Sequence, residues 1–366
     1  MTSTATASPL HAEHRELGAQ FTDFAGWQMP LKYDSELAEH NTVRNKAGLF
    51  DLSHMGEIVV EGPEAGAALD FALAGELSTM AVGKAKYSLL CDREGGVLDD
   101  LVVYRTAEDR YLVVANAANT AIVHRKIGFR SIRFVVSVRD DTVHTALLAV
   151  QGPVAADIVK ALIDDAALVD DLKYYAAVPA VVAGTDVLLA RTGYTGEDGF
   201  ELFVPTDEAR ELWRTLLTET RARGGAPAGL ACRDTLRLEA GMALYGHELT
   251  TATTPYEAGL GRVVTLSKDF VGRDALQRVA DQARARRLVG LVGTGRRAAR
   301  AGYSVTSQDA PIGVVTSGAL SPTLGYPIAL AYVDAAFAEP GTHIGVDIRG
   351  TTAEFTVAAT PFYRRP

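Results

Sequence analysis

The sequence predicts an α+β protein whose first part carries a duplicated unit and whose end is all β. Two observations point this way. Residues 57–74, EIVVEGPEAGAALDFALA, read as an apolar strand, a Gly62-Pro63 step and an amphipathic helix, and residues 147–163, LLAVQGPVAADIVKALI, repeat that order around Gly152-Pro153. From Leu288 onward the chain breaks into short runs (IGVVTSG, ALAYVD, HIGVDIRG, TAEFTVAAT) punctuated by Gly and Pro, the spacing of a small barrel or sandwich.

The elements follow in order. Residues 1–8 are polar, with neither a basic stretch nor an apolar core, and predict a short disordered lead-in and a cytoplasmic protein. In each Gly-Pro unit glycine suits the turn and proline the first helical position. Leu101–Arg105 and Tyr111–Ala115 predict a hairpin, with a helix at Asn119–Ile127. Asp186–Arg191 and Phe200–Val204 predict a second hairpin, then helices around Asp207–Arg223 and Cys232–Met242. The Arg-rich stretch Asp281–Arg300 reads as the link to the β end.

Composition excludes several classes. With 36 Lys+Arg against 45 Asp+Glu the net charge is −9, which argues against a general nucleic-acid or anionic-membrane surface. Cys91 and Cys232 are too few for a disulfide framework, and no apolar run approaches the roughly 20 residues that span a bilayer. The eight histidines form no HExxH or HxH, so no metal site is predicted. There are 34 glycines, many clustered beside charged residues.

Three segments carry candidate chemistry. In EGGVLDDLVVY, Asp99 and Asp100 are strand neighbours and point to opposite faces, one expected at a cavity and the other in solvent. In RTGYTGEDGFELF, residues 191–203, three glycines spaced by three suit close approach of a ligand, Tyr194 offers a stacking face, and Glu197, Asp198 and Glu201 offer carboxylates. Such acids repel phosphate and suit an amidine-like edge with two parallel donors. In the helix GLACRDTLRLEAGM, residues 229–242, Arg233 and Arg237 share a face; such charges usually mark a solvated face, but here they lie between apolar residues, which leaves a buried anchor open. His54 in DLSHMGE reads either as a catalytic base or, more commonly for a lone histidine, as a hydrogen-bonded structural one.

Taken with FAGWQMP (24–30), FDLSHMGE (50–57), GGVLDDLVV (95–103), LAVQGP (148–153), TTPYEAGL (253–260), GVVTSG (313–318) and PFYRR (361–365), these motifs occur in an order that closely resembles the aminomethyltransferases, or T-proteins, of the glycine cleavage system. The resemblance runs from about Pro9 to Arg365. It implies a three-domain cloverleaf around a central channel for tetrahydrofolate. Two intertwined α+β domains are expected over 9–280, and a C-terminal β-barrel domain over 285–366. The implied reaction takes the aminomethyl group from the dihydrolipoyl arm of the lipoylated H-protein, giving ammonia, 5,10-methylenetetrahydrofolate and the reduced arm.

Residue by residue, the resemblance assigns the catalytic aspartate to Asp100, the pterin-binding carboxylate to Glu201, and the nearby arginine to Arg233. Pocket positions fall on Met55, Tyr87, Val114, Asn116 and Tyr194, with Tyr363 closing the site. Attack by the folate N5 on the aminomethyl carbon needs no protein nucleophile. Asp100 is expected to favour the cationic, iminium-like species, while Asp99 should tolerate substitution. Arg262 stands where some members carry tryptophan. The basic stretch Arg284–Arg300 reads either as a docking surface for an acidic carrier or, more commonly for such a run, as a solvated basic linker. Two rival readings are a folate-dependent demethylase module, which would sit beside a flavin domain, and a non-catalytic folate-binding protein of iron–sulfur assembly. The latter resembles KGCYxGQE, where this chain reads RTGYTGEDG.

Overall fold

The computed structural model describes residues 5–282 and 284–366. Its topology bears out the duplication. In the first copy, strand Gly56–Glu61 leads into helix Ala65–Ala72. A three-strand meander follows (Ala85–Cys91, Val97–Ala107, Arg110–Ala115), then helix Thr120–Arg130 and strand Ser137–Asp140. In the second, strand Thr145–Gln151 leads into helices Ala155–Lys160 and Ala167–Asp171, the meander Ala177–Val182, Thr185–Ala190 and Gly199–Pro205, helix Ala209–Ala222 and strand Ala226–Pro227. Both sheets share one lateral order: second, third, fourth, first and fifth strand of the copy. The second sheet inserts Gly48–Asp51 before its last strand.

The Gly-Pro steps are the same device in both copies, with one difference from expectation. Proline lies two residues ahead of the helix, which begins at Ala65 and at Ala155. The Gly62 and Gly152 carbonyls accept the N–H groups of Ala65 and Ala155, each at 3.0 Å. That closes a turn in which proline takes the second position, where its fixed φ fits. Both glycines need positive φ, 141° and 138°. A Cβ on Gly62 would sit 2.5 Å from the Val135 carbonyl oxygen, and one on Gly152 2.4 Å from that of Lys46.

Period-two alternation then sorts side chains into layers. Ile58, Val60, Leu101, Val103 and Val113 pack beneath the helices of the first copy, and Leu148, Val150, Phe200, Leu202 and Val204 beneath those of the second, with Trp213. The alternate residues meet between the sheets: Val59, Tyr104, Leu112 and Val114 face Phe50, Leu147, Ala149 and Phe203.

The end of the chain is a closed barrel of Arg286–Gly293, Ser304–Ser307, Ala310–Leu320, Pro327–Asp334, His343–Asp347 and Thr352–Ala358, ordered first, fourth, third, second, fifth, sixth. Helix Leu230–Glu239 ties it to the sheets: Leu238 packs with Ala319, Ile328 and Leu330.

Two expectations fail. The lead-in, as far as it lies within the described residues, is ordered: Thr6–Ala7 pairs in parallel with strand Trp27–Lys32, and the buried Ser8 hydroxyl donates to Asp51. Residues 1–4 lie outside the described residues. The short three-stranded sheet to which this strand belongs also includes Gln20–Phe24. Second, the Arg-rich stretch is only partly a link. Arg286 and Arg287 already belong to the first barrel strand and pair with Glu257 at 2.8 Å and Glu339 at 3.6 Å.

Candidate functional site

The layer between the sheets positions the expected acids. Asp100 shares its face with Val102 and Tyr104 on one sheet; Glu201 shares its face with Phe203 on the other. The Asp100 carboxylate accepts the Tyr87 hydroxyl at 3.0 Å and the Asn116 side-chain amide at 2.9 Å. Burial raises its pKa, and these two hydrogen bonds oppose the rise. Tyr87 keeps its proton, held well above the ordinary phenol value by burial and by Asp100.

Asp99 points under the helix side, as alternation requires, but the expectation that it is solvated fails. It is fully buried, because the Asn116–Thr120 turn covers that face. Its oxygens accept the amide groups of Asn116 at 2.9 Å and Asn119 at 2.6 Å, and the Asn116 backbone N–H at 3.1 Å. Burial, then the charge of Asp100, push its carboxyl up to about 7.

The three acids of the second hairpin separate. Glu197 pairs with Arg44 at 2.8 Å, and Asp198 with Arg191 at 2.6 Å and Arg365 at 3.6 Å. Glu201 makes no ion pair among the described residues. One of its oxygens accepts the hydroxyls of Thr192 and Tyr104, the latter at 3.3 Å. Burial lowers the pKa of Arg233, while Glu201 is the leading charge that raises it. The Arg233 guanidinium stands 4.8 Å from the Tyr194 ring centroid, and the Tyr194 hydroxyl is fixed on the Ala243 carbonyl. Met55 and Val114 pack in the same inter-sheet cluster.

Asp100, Tyr87 and Asn116 are thus in direct contact, while Glu201, Arg233 and Tyr194 are linked electrostatically and by stacking. Tyr363 is not brought to them. Its ring lies 4.1 Å from the Arg44 guanidinium and its N–H donates to the Glu239 carbonyl at 2.9 Å. Arg262 is exposed in the short turn Gly261–Val263.

The glycine clusters make room for protein, not ligand. A Cβ on Gly193 or Gly199 would fall 2.0 or 2.3 Å from the Gln151 side chain, and one on Gly96 2.1 Å from the Thr251 carbonyl. Gln151 fills that space to accept the Thr195 hydroxyl at 2.9 Å and donate to the Thr192 carbonyl at 3.1 Å. Arg237 is the buried anchor the helix pattern suggested, 1% exposed and paired with Glu248 at 3.1 Å. His54 is buried, yet its Nδ1 has no partner among the described residues, so the hydrogen-bonded structural reading is not met at that atom. Burial, then Arg233, push its pKa down to about 4 and keep it neutral.

Sequence reasoning missed Tyr104, Thr192 and Tyr175. Tyr104 carried a signal, since it follows Asp100 and Val102 at period two. Tyr175 carried none: it sits at φ 59°, and its hydroxyl feels both Glu201 and Asp100.

Comparison with known proteins gives this arrangement its class. Residues 10–268 match the model of the GCVT N-terminal domain and residues 286–364 that of the glycine cleavage T-protein C-terminal barrel domain. An aminomethyltransferase of Streptomyces avermitilis is 58% identical over 362 residues, covering 97% of each chain. One of Thermotoga maritima is 44% identical over 358 residues, covering 98% of this chain and 97% of the relative. The crystal structure of glycine cleavage system aminomethyltransferase T from Bartonella henselae, 37% identical, superposes with a TM-score of 0.91 over 98% of both chains. The molecule is therefore a group-transferring enzyme. The chain belongs to the glycine cleavage T-protein family, the aminomethyltransferases. These relatives span the whole chain and carry the transferase's name, which gives neither rival reading support.

Proposed function

We propose that the inter-sheet cleft binds tetrahydrofolate and transfers to it the one-carbon unit of the aminomethyl-dihydrolipoyl arm of a lipoylated H-protein. Ammonia and the dihydrolipoyl arm are released. One observation carries the reading: in a hairpin with three acids, only Glu201 lacks a cationic partner among the described residues, and it lies in the layer that also holds Asp100. The residues present fit a pterin. Its 2-amino and ring N–H edge is a planar two-donor fork that a carboxylate accepts in bidentate fashion. Tyr194, Val114 and Met55 supply flat and apolar walls.

When bound, tetrahydrofolate supplies the nucleophilic amine. The protein's part is position and charge. Glu201 fixes the ring edge, held in turn by Thr192 and Tyr104. Tyr87 and Asn116 aim the Asp100 carboxylate, which attracts the positive charge developing on the one-carbon unit. The two N–H protons given up as the folate amines bond to that carbon end on the leaving groups, one on ammonia and one on the arm's thiol. Such preorganised groups contribute roughly 10²- to 10³-fold each. Arg233, beside Glu201 and Tyr194, lies where it can bind an anionic part of the co-substrate. Domains over 9–280 and 285–366 belong to the same reading, as does a cytoplasmic setting, which the two free, buried cysteines suit.

The test is ammonia release from aminomethylated H-protein with and without tetrahydrofolate. Folate-dependent release is expected; folate-independent release, or none, would overturn the reading.

A further inference from the structure

The Asp99–Asp100 pair, read from the sequence as one functional and one dispensable acid, is joined through a single side chain. The Asn116 amide nitrogen has two hydrogens. It stands 2.9 Å from Asp99 Oδ1 and 2.9 Å from Asp100 Oδ1, so one hydrogen goes to each acid. The Asn116 backbone N–H, 3.1 Å from Asp99 Oδ2, fixes the main chain of the same residue. Asn119 adds a further bond to Asp99 at 2.6 Å. Asp99 is thus gripped from the helix side and grips Asn116 twice. Asn116 has no other side-chain partner among the described residues except the Asp100 carbonyl at 3.2 Å.

We infer that Asp99 is a positioning residue for the reaction: through Asn116 it sets the direction of the Asp100 carboxylate without touching substrate. This rests on the assignment of the reaction to Asp100. The chemistry explains why two acids are adjacent in the strand. A carboxylate can accept from the Asn116 backbone, the Asn116 amide and the Asn119 amide at once, because all its lone pairs are acceptors. An asparagine at 99 would present its own N–H₂ toward one of these donors, leaving a buried donor–donor clash and a mobile Asn116.

The experiment measures kcat, the KM for tetrahydrofolate and the thermal midpoint for Asp99→Asn, Asn116→Ala, the double variant and Asp100→Asn, using the full-length enzyme with aminomethylated H-protein. Expected are a roughly tenfold loss of kcat in Asp99→Asn with KM within about twofold, and a double variant no slower than Asn116→Ala alone, because both changes cut the same link. Losses of Asp99→Asn and Asn116→Ala that multiply in the double variant would overturn the inference, as would a lower melting point with kcat unchanged. If Asp99→Asn does not fold, Asn116→Ala decides: wild-type kcat there also overturns it. Wild-type turnover in Asp100→Asn would sink the underlying reading instead. A loss in Asp100→Asn with none in Asp99→Asn sinks this inference alone.

Discussion

The same two segments build two clusters of opposite character. Hairpin residues 191–203 send Glu197 and Asp198 to arginines, and Glu201 to the layer between the sheets. Helix Leu230–Glu239 sends Glu239 and Arg237 toward the barrel and Arg233 toward the cleft. In the first cluster every charge is answered. Arg44 bonds Glu197 and Glu239, both at 2.8 Å, and Glu239 also accepts from His40, Ser321 and Thr323. Tyr363 and Arg365 line a cavity of about 570 Å³ beside it, but the polar groups there face one another. In the cleft, the Asp100 and Glu201 side chains accept, among the described residues, from neutral hydroxyl and amide groups. Buried acids with no salt-bridge partner are costly, and the proposed function gives them a purpose: a ligand with donors and developing positive charge would answer them. One cluster holds the chain together; the other awaits a partner.

The contrast can be broken by substitution. The largest effect belongs to the satisfied cluster. Arg44→Met leaves Glu197 and Glu239 buried without their cation, and should lower stability by about 3–5 kcal/mol, read as a fall in the thermal midpoint. In wild type, burial works against the Glu239 carboxylate, but its partners hold the pKa down to about 2. Its stability contribution is therefore complete above the unfolded value near 4.5 and lost as pH falls from there toward 2.

Next comes Asp100→Asn, which should lower kcat roughly 10²- to 10³-fold with little change in KM for folate or in melting. Glu201→Gln should raise the folate KM by about tenfold or more, a charge-assisted hydrogen bond contributing about 1.5–3 kcal/mol, with a smaller change in kcat.

The smallest effect concerns His54. Burial and Arg233 hold its folded pKa near 4, below the ordinary histidine value of 6.5, so the neutral ring stabilises fully above 6.5 and that contribution is lost as pH falls from 6.5 toward 4. Between pH 7 and 5 this amounts to about 2 kcal/mol, and His54→Phe should flatten that part of the melting curve against pH.

The same contrast separates what is legible in the sequence from what only the fold decides. The duplicated strand–turn–helix order was legible because Gly62 and Gly152 obey the same steric demand in both copies. Asp100 and Glu201 could be named because their motifs resemble a family. The fate of the glycines could not. Gly193 and Gly199 look like ligand space in the sequence, and only the tertiary fold brings Gln151, some 40 residues earlier, into that space. Asp99 was misjudged for a related reason: alternation gives the face a side chain takes, but not whether a later turn, here Asn116–Thr120, covers it. Tyr363 was placed by a terminal motif, and the Arg44 ring contact that holds it depends on residues more than 300 positions apart.

The claim that charge left unpaired marks the site is tested most directly by one pair of dissociation constants, those of tetrahydrofolate for Glu201→Gln and Glu197→Gln. Folate binding should weaken at least tenfold in Glu201→Gln with an unchanged melting point, and stay within about twofold in Glu197→Gln while its melting point falls. The reverse pattern, or equal effects on binding, would contradict the account.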